Sequence, residues 1–258
     1  MKSSPVNNTL QPLEKVVLDW KSPPTQPNLG VDNIHLWSVE LDVDVTSIAR
    51  YRGLLSSDEL TRADRFRFSL HRQHFIACRG LLRTILSKYI DVAPQAIQFR
   101  YGEFGKPEIR ASDLKFNVSH SFGRALIALT RESHVGVDLE HIRIEFKTQQ
   151  IVERYFGPTE RHALNGMPAS QKRAAFYRLW TLKEAYMKAT GLGLSCAMDA
   201  IEVDLESDRF SINQINPLRN LAETSWVASA LDPHEGFVGA IAYSGAPKQT
   251  STFLVKPG

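Results

Sequence analysis

Asp138 and Glu140 stand two apart in the stretch Gly136-Val-Asp-Leu-Glu140. On a strand, residues at that spacing share one face, and Val135, Val137 and Leu139 then form a clean apolar face opposite. Two carboxylates side by side repel, so the pattern asks for water or a cation between them. A solvated strand end meets the first need. Magnesium is a natural candidate for the second, because it takes hard oxygen ligands and binds a few carboxylates together with phosphate and water. Glu184 is a candidate third ligand. It lies in RLWTLKEAYMKATGLGL, residues 178–194, which reads as an amphipathic helix stopping at Gly191. Lys188 is four residues further on and shares its face, as a solvated salt bridge or as an ammonium held beside the carboxylates.

A second set of residues is basic. Arg62 and Arg65 are three apart on a helix, with Arg72, Arg79 and Arg83 beyond. Lys106 sits in the turn Phe104-Gly-Lys-Pro107, and His120 ends Asn117-Val-Ser-His120. Guanidinium forks and a lysine point charge suit phosphate oxygens, and an imidazole can donate to one. A basic solvated helix face, a plain turn at Gly105 and Pro107, and a loop-ordering histidine are the simpler readings of the same residues.

These residues need elements to position them. Ile34 to Leu41 alternates like a strand. Ser56-Ser-Asp-Glu59 resembles a capping box opening a helix, and a longer helix is expected from about His71 to Tyr89. Strands follow at 97–101, 116–119, 125–129 and 135–139, with a turn at 102–107. Helices near 148–164 and 170–190 precede strands near 200–205, 209–215, 225–231 and 237–243. In the last helix Leu179, Trp180, Leu182 and Tyr186 form the anchoring apolar side. Helices followed by a meander, twice over, imply an α+β fold of two similar halves. The expected organisation is a flexible or loosely docked extension at 1–33, a first half at 34–133 and a second at 134–258.

The chain has 258 residues, 43% hydrophobic and 23% charged, a globular composition long enough for a sizeable core. No apolar run approaches the roughly 18 residues of a membrane-spanning helix, and the N-terminus lacks the features of a secretory signal. The two cysteines, Cys78 and Cys196, have no metal-binding spacing, which points to a reduced, cytoplasmic protein. Net charge is +3. Lysine and arginine outnumber the acids in residues 1–135 and roughly balance them in 136–258, so a phosphate-bearing or acidic partner belongs with the first half. The modest charge and the lack of aromatic-plus-basic platforms on strands argue against nucleic acid.

Taken in order along the chain, GKPEI, FNVSHS, GVDLE and FYRLWTLKEAYMKATGLGL resemble the 4'-phosphopantetheinyl transferase superfamily, in its longer surfactin-synthetase-activating type. The resemblance covers roughly residues 35 to 245, and GVDLE and WTLKEAYMK are its most specific blocks. It implies two pseudo-symmetric α+β halves, each a small sheet with packed helices, with the active site in the cleft between them. It implies a monomeric, magnesium-dependent enzyme that moves the phosphopantetheine arm of coenzyme A to a serine of an acyl or peptidyl carrier protein and releases 3',5'-ADP. Carried over by residue, Asp138, Glu140 and Glu184 match the magnesium ligands, and Lys188 the lysine near the pyrophosphate. Arg62 matches a basic residue for the 3'-phosphate, while Lys106, Pro107, Ser119 and His120 fall at coenzyme-binding positions. His74 departs from the arginine common in the family. Glu184 would take the serine proton, directly or through a water, and Lys188 would donate to the leaving phosphate. A magnesium-dependent phosphohydrolase or nuclease would also use clustered acids but leaves GKPEI and NVSHS unexplained. A non-catalytic module that binds carrier proteins is the remaining alternative.

Overall fold

The computed structural model describes residues 16, 18–110, 112–144, 148–191, 198, 201–204, 209–212 and 225–256. Residues 1–15, Cys196 and the outer ends of the strands expected at 200–205 and 209–215 lie outside that set. The chain falls into two compact units, one from Asp19–Glu132 with Lys248–Gly258, the other from Met1–Leu18 with Ser133–Pro247. Both are α+β, with helices packed on small sheets.

In the first unit, β1 (Asn33–Glu40), β4 (Leu114–Ser121) and β5 (Arg124–Arg131) join β11 (Gln249–Val255) in a sheet of order β11-β1-β5-β4. The β1–β11 pairing is parallel, Asn33 facing Gln249, and the other two are antiparallel. Strand β11 was not among the sequence expectations, which grouped its residues with the second half. Its Thr-rich, edge-like stretch lacks the clean alternation that marks β1. Within residues 19–32, Lys21 and Leu29 bond to this unit. Lys21 pairs with Thr252 and Leu254 through backbone bonds, and Arg131 holds the buried Leu29 by its carbonyl.

Three helices complete this unit: α1 (Val45–Arg52), α2 (Ser57–Asp64) and α3 (Ser69–Leu86). Helix α1 starts at Asp44, whose carboxylate accepts from the Ser47 amide, an N-cap that the sequence reading passed over. Helix α3 buries Ile76, Leu81, Leu82, Ile85 and Leu86 against Trp37, Phe116 and Ile127 of the sheet. It meets α1 at Gly80, where any Cβ would collide with the Tyr51 side chain. The helix ends at Leu86, short of Tyr89, which is used elsewhere. The Tyr89 hydroxyl accepts from Trp37 Nε1 at 2.9 Å and lies 2.8 Å from His35 Nδ1.

His35 is buried, and burial pulls its pKa down to about 4. The folded form therefore holds the imidazole neutral while the unfolded chain, near 6.5, takes up a proton first. Stability from this site is complete above pH 6.5 and falls as pH drops toward 4. Between those limits the wild-type protein is expected to lose about 2–3 kcal/mol more than His35→Gln, read as the difference in urea midpoints across that range. Parallel pH curves for the two proteins would contradict it.

The second unit holds β6 (Val135–His141), α4 (Gln149–Tyr155), α5 (Pro158–Gly166), α6 (Ala169–Thr190), β7 (Ile201–Asp204), β8 (Arg209–Ile212), β9 (Trp226–Leu231) and β10 (Phe237–Ser244). Strands β6, β10 and β9 form one antiparallel sheet in that order, and β7 pairs with β8. The single helix expected at 148–164 is two. Pro158 has no amide to donate and disfavours a helical Gly157, so α4 stops and α5 begins there with Pro at its first turn. Helix α6 lies along β6 and β10. Its Leu179, Leu182 and Tyr186 are buried in the core, and Trp180 packs half-buried against it. Gly191, at φ 70, closes the helix in the left-handed conformation. Among the described residues no helix is long and apolar enough to cross a membrane.

Candidate active site

The approach of α6 to β6 is set by Gly136. A Cβ there would run into the Ala185 carbonyl and the Ala189 amide, so only glycine lets helix backbone lie directly on strand backbone. Glu184 and Lys188 immediately precede those two alanines, and Asp138 is one strand repeat beyond Gly136 on the same face. The glycine of GVDLE and the small residues of KEAYMKA thus bring the two motifs into contact.

The result is a coupled cluster. Lys188 Nζ donates to Asp138 Oδ1 at 2.6 Å, and the Asp138 side chain is 4% exposed. Glu184 and Lys188 are half-buried on a helix whose neighbouring positions are closed off, and Glu140 is half-buried on β6. Burial raises the Glu184 pKa to about 7, with Asp138 and Glu140 adding to the rise and Lys188 opposing it. The expected i,i+4 pairing of Glu184 with Lys188 therefore gives way to a cross-element bond from Lys188 to the more deeply buried Asp138.

Asp138 and Glu140 lie close enough to Glu184 to add to the rise that burial produces in its pKa. That oxygen-only donor set suits a hard dication by its chemistry. Among the described residues, however, no three histidine, cysteine or acidic side chains are already gathered into a metal-binding arrangement. Lys188 holds the Asp138 carboxylate instead.

Beside Glu140 opens a cavity of about 140 Å³ lined by Arg143, Ile151, Phe176, Tyr177 and Trp180. Phe176 and Trp180 stack at 6.3 Å, and the Tyr177 hydroxyl accepts from the Arg143 amide at 3.2 Å. An apolar wall with an acidic rim can seat an aliphatic chain beside the carboxylates. Sequence reasoning did not foresee it, since Ile151 and Phe176 look like ordinary core positions.

Lys183, which precedes Glu184, belongs to a different network. Its ammonium is fully buried and bonds Glu160 Oε2 at 2.5 Å, the Met198 carbonyl at 3.0 Å and the Tyr155 carbonyl at 3.2 Å. It also lies over the Phe156 ring. Glu160 accepts from the amides of Gly157 and Val203 as well. One buried ion pair thus ties α4, α5, α6 and β7 together and fixes where Glu184 stands.

In the first unit the basic residues divide by role. Arg79 and Arg83 are not a phosphate site. Both bond the buried Glu59 carboxylate, Arg79 Nε at 2.6 Å and Arg83 Nε at 2.7 Å. Arg83 also donates to the Pro94 and Ile97 carbonyls. Glu59 also accepts from the Ser56 amide at 3.0 Å, as the capping box expected from the sequence requires, and the Ser56 hydroxyl donates to Asp58 and accepts from Arg83. Arg72 donates to the Phe66 carbonyl. Arg62 and Arg65 remain, lining a cavity of about 510 Å³ with Asp58, Glu59, Thr61 and Tyr101. The Arg62 guanidinium lies 5.3 Å from the Phe75 ring centroid.

Lys106 stands in the tight turn between β2 (Phe99–Tyr101) and β3 (Pro107–Ile109), with Gly105 at φ 78. Burial lowers its pKa to about 8, against a raising effect of Glu108 and with a further lowering from Lys115. An anionic ligand would offset that loss of hydration. Pro107 opens β3 and stiffens the turn. Ser119 is buried and His120 exposed. As neighbours on β4 they face opposite sides of the strand, so the structure does not turn both side chains toward one point. Alternation puts His120 on the face shared with Leu114 and Phe116, the one α3 covers. His74, on α3, bonds Asp42 at 2.6 Å.

A family model described as the 4'-phosphopantetheinyl transferase superfamily matches residues 134–242, the span from β6 to β10. The chain is 37% identical over 228 residues to the 4'-phosphopantetheinyl transferase HetI of Nostoc sp. (strain PCC 7120 / SAG 25.82 / UTEX 2576), an overlap of 86% of this chain and 93% of that one. It is 32% identical over 160 residues to a 4'-phosphopantetheinyl transferase of Bacillus subtilis, covering 62% of this chain and 70% of the other. With 4'-phosphopantetheinyl transferase Sfp of Bacillus subtilis (strain 168) it shares 29% identity over the same lengths and shares of chain.

Proposed function

The chain belongs to the 4'-phosphopantetheinyl transferase superfamily, and on that footing we propose which of its residues carry out the transfer. The enzyme moves the 4'-phosphopantetheine arm of coenzyme A to a serine of an apo acyl or peptidyl carrier protein. The serine oxygen bonds to the β-phosphorus, the bond from that phosphorus to the bridging oxygen breaks, and 3',5'-ADP leaves with the electron pair. The observation that carries the residue assignment is the coupled cluster of Asp138, Glu140, Glu184 and Lys188.

In this reading Asp138, Glu140 and Glu184 hold magnesium. When bound, the ion neutralises charge developing on the pyrophosphate. Glu184 accepts the serine proton, directly or through a water, a role suited to a carboxylate beside the attacked phosphorus. Lys188, whose ammonium bonds Asp138 at 2.6 Å, donates to the pyrophosphate. Arg62 supplies a donor to the 3'-phosphate, and Lys106, Pro107, Ser119 and His120 contact the coenzyme. Cytoplasmic location and a monomeric state belong to the same reading, with no role for nucleic acid or membrane.

The test is direct. The protein is incubated with coenzyme A, magnesium and apo acyl or peptidyl carriers, and intact-mass spectrometry follows the carriers. A gain of one phosphopantetheine arm, lost on chelation and restored by magnesium, is expected. Transfer that persists under exhaustive chelation would remove the metal from the reading. Hydrolysis of coenzyme A with every carrier unmodified would overturn the transferase assignment.

A further inference from the structure

The cavity of about 510 Å³ in the first unit has walls on two elements. Thr61, Arg62 and Arg65 come from α2 and its C-terminal cap, and Tyr101 comes from β2. Arg62 and Arg65 are one turn apart, a spacing that puts both side chains on one helix face. Cations at a helix C-terminus ordinarily settle on its last carbonyls. These two do not. Among the described residues neither guanidinium bonds a carbonyl or a carboxylate, and Arg62 meets the Phe75 ring. The acids nearby are engaged elsewhere. Asp64 accepts from both terminal nitrogens of Arg52, and Glu59 holds Arg79 and Arg83. Asp58, the remaining acid of the lining, accepts from the Ser56 hydroxyl at 2.6 Å. Positive charge is therefore in excess around the cavity.

The opposite wall is fixed in advance. Arg79, bonded to Glu59 and lying over the Phe99 ring, donates from Nη2 to the Tyr101 hydroxyl at 3.3 Å. A phenol that accepts from an arginine keeps its own hydrogen for a further acceptor. Tyr101 is 45% exposed, so that hydrogen can serve a ligand in the cavity. Two guanidinium forks and a hydroxyl around one recess complement a phosphate dianion. A carboxylate, with a single charge, would answer one fork and leave the other. Of the three phosphates of coenzyme A, only the 3'-monoester carries a second ionisable oxygen, with a pKa near 6.

We propose that Arg65 and Tyr101, together with Arg62, receive the 3'-phosphate of coenzyme A, so that this cavity distinguishes the coenzyme from its dephospho form. The proposal rests on the transferase reading above and adds two specificity-determining residues to it.

Transfer to an apo carrier by the full chain is followed with coenzyme A and with dephospho-coenzyme A, which differ by that phosphate alone. Arg65→Gln is expected to lower kcat/KM for coenzyme A roughly ten- to a hundredfold, the range for one charge-assisted hydrogen bond. The loss should lie in KM rather than kcat, and dephospho-coenzyme A should show none of it. Arg65→Lys should recover part of the loss, since it restores a point charge without the fork. Tyr101→Phe removes one hydroxyl hydrogen and should reduce the preference for coenzyme A about two- to tenfold. The melting temperature of Arg65→Gln should match the wild type, because the guanidinium bonds no described group, and this separates the effect from misfolding. Equal losses with both cosubstrates, or no loss with either, would overturn the proposal. A wild-type protein that uses the two cosubstrates equally would remove the role of Arg62 as well. A wild-type protein that transfers from neither would remove the transferase reading, and the proposal with it.

Discussion

Glu184→Gln is expected to lower kcat for carrier modification by about 10²–10⁴-fold, the usual worth of a positioned base, while the melting temperature holds or rises. The substitution keeps the shape of the side chain and the helix. It removes a half-buried charge that Asp138 and Glu140 already disfavour, so the fold loses nothing. Lys188→Ala should behave differently. It takes away the ammonium 2.6 Å from a nearly inaccessible carboxylate, leaving Asp138 uncompensated. A loss of about 1–3 kcal/mol in stability is expected without metal, partly recovered on adding magnesium, together with a fall in kcat of orders of magnitude. If both groups act on one phosphate assembly, as proposed, the double variant should be little slower than the poorer single. Steady-state kinetics and melting curves for the three proteins check this. Normal turnover in Glu184→Gln would remove it from the chemistry, and multiplicative losses in the double variant would mean that the two residues act separately.

Lys183→Met is expected to cost about 3–5 kcal/mol, the penalty for removing one partner of a buried ion pair. In a chain of this size that lowers the melting temperature by on the order of 10 °C. Glu160, fully buried, would keep its two amide donors and lose its cation, and the carbonyls of Tyr155 and Met198 would lose a shared donor. Turnover per folded molecule should fall far less than in Glu184→Gln, because Lys183 bonds Glu160 and the carbonyls of Tyr155 and Met198. Calorimetric melting beside active-site-normalised kinetics separates the two cases. An unchanged melting temperature with lost turnover would make Lys183 part of the chemistry.

The contrast between these adjacent residues shows what a single sequence can and cannot reveal. GVDLE and the helix through KEAYMK were legible because their chemistry is local: a two-residue repeat on a strand, a four-residue repeat on a helix. Their meeting at Gly136 was not, since a glycine before an acidic strand does not announce that a helix backbone will rest on it. Lys183 has its partner 23 residues away on another helix, and no periodicity links the two. Arg79 and Arg83 read as free cations for the same reason, their carboxylate being the residue already assigned to a cap. Helix α1 was hidden by its low apolar content, and the break at Pro158 was overlooked although the proline itself was the signal.

Strand β11 has a consequence for how the polypeptide is made. β1 acquires its antiparallel neighbour β5 within the same continuous segment, but its parallel neighbour is synthesised only after the whole of Ser133–Pro247. At typical ribosomal rates that interval is roughly ten seconds. Throughout it, β1 offers a free hydrogen-bonding edge on a strand carrying Ile34, Leu36, Trp37 and Val39, all buried in the finished fold. Such an edge is a template for pairing with a second nascent chain. A polypeptide ended at Pro247 would keep every member of the Asp138 cluster and still leave that edge open for good, so the yield of usable enzyme in a cell depends on seven residues that touch none of the chemistry.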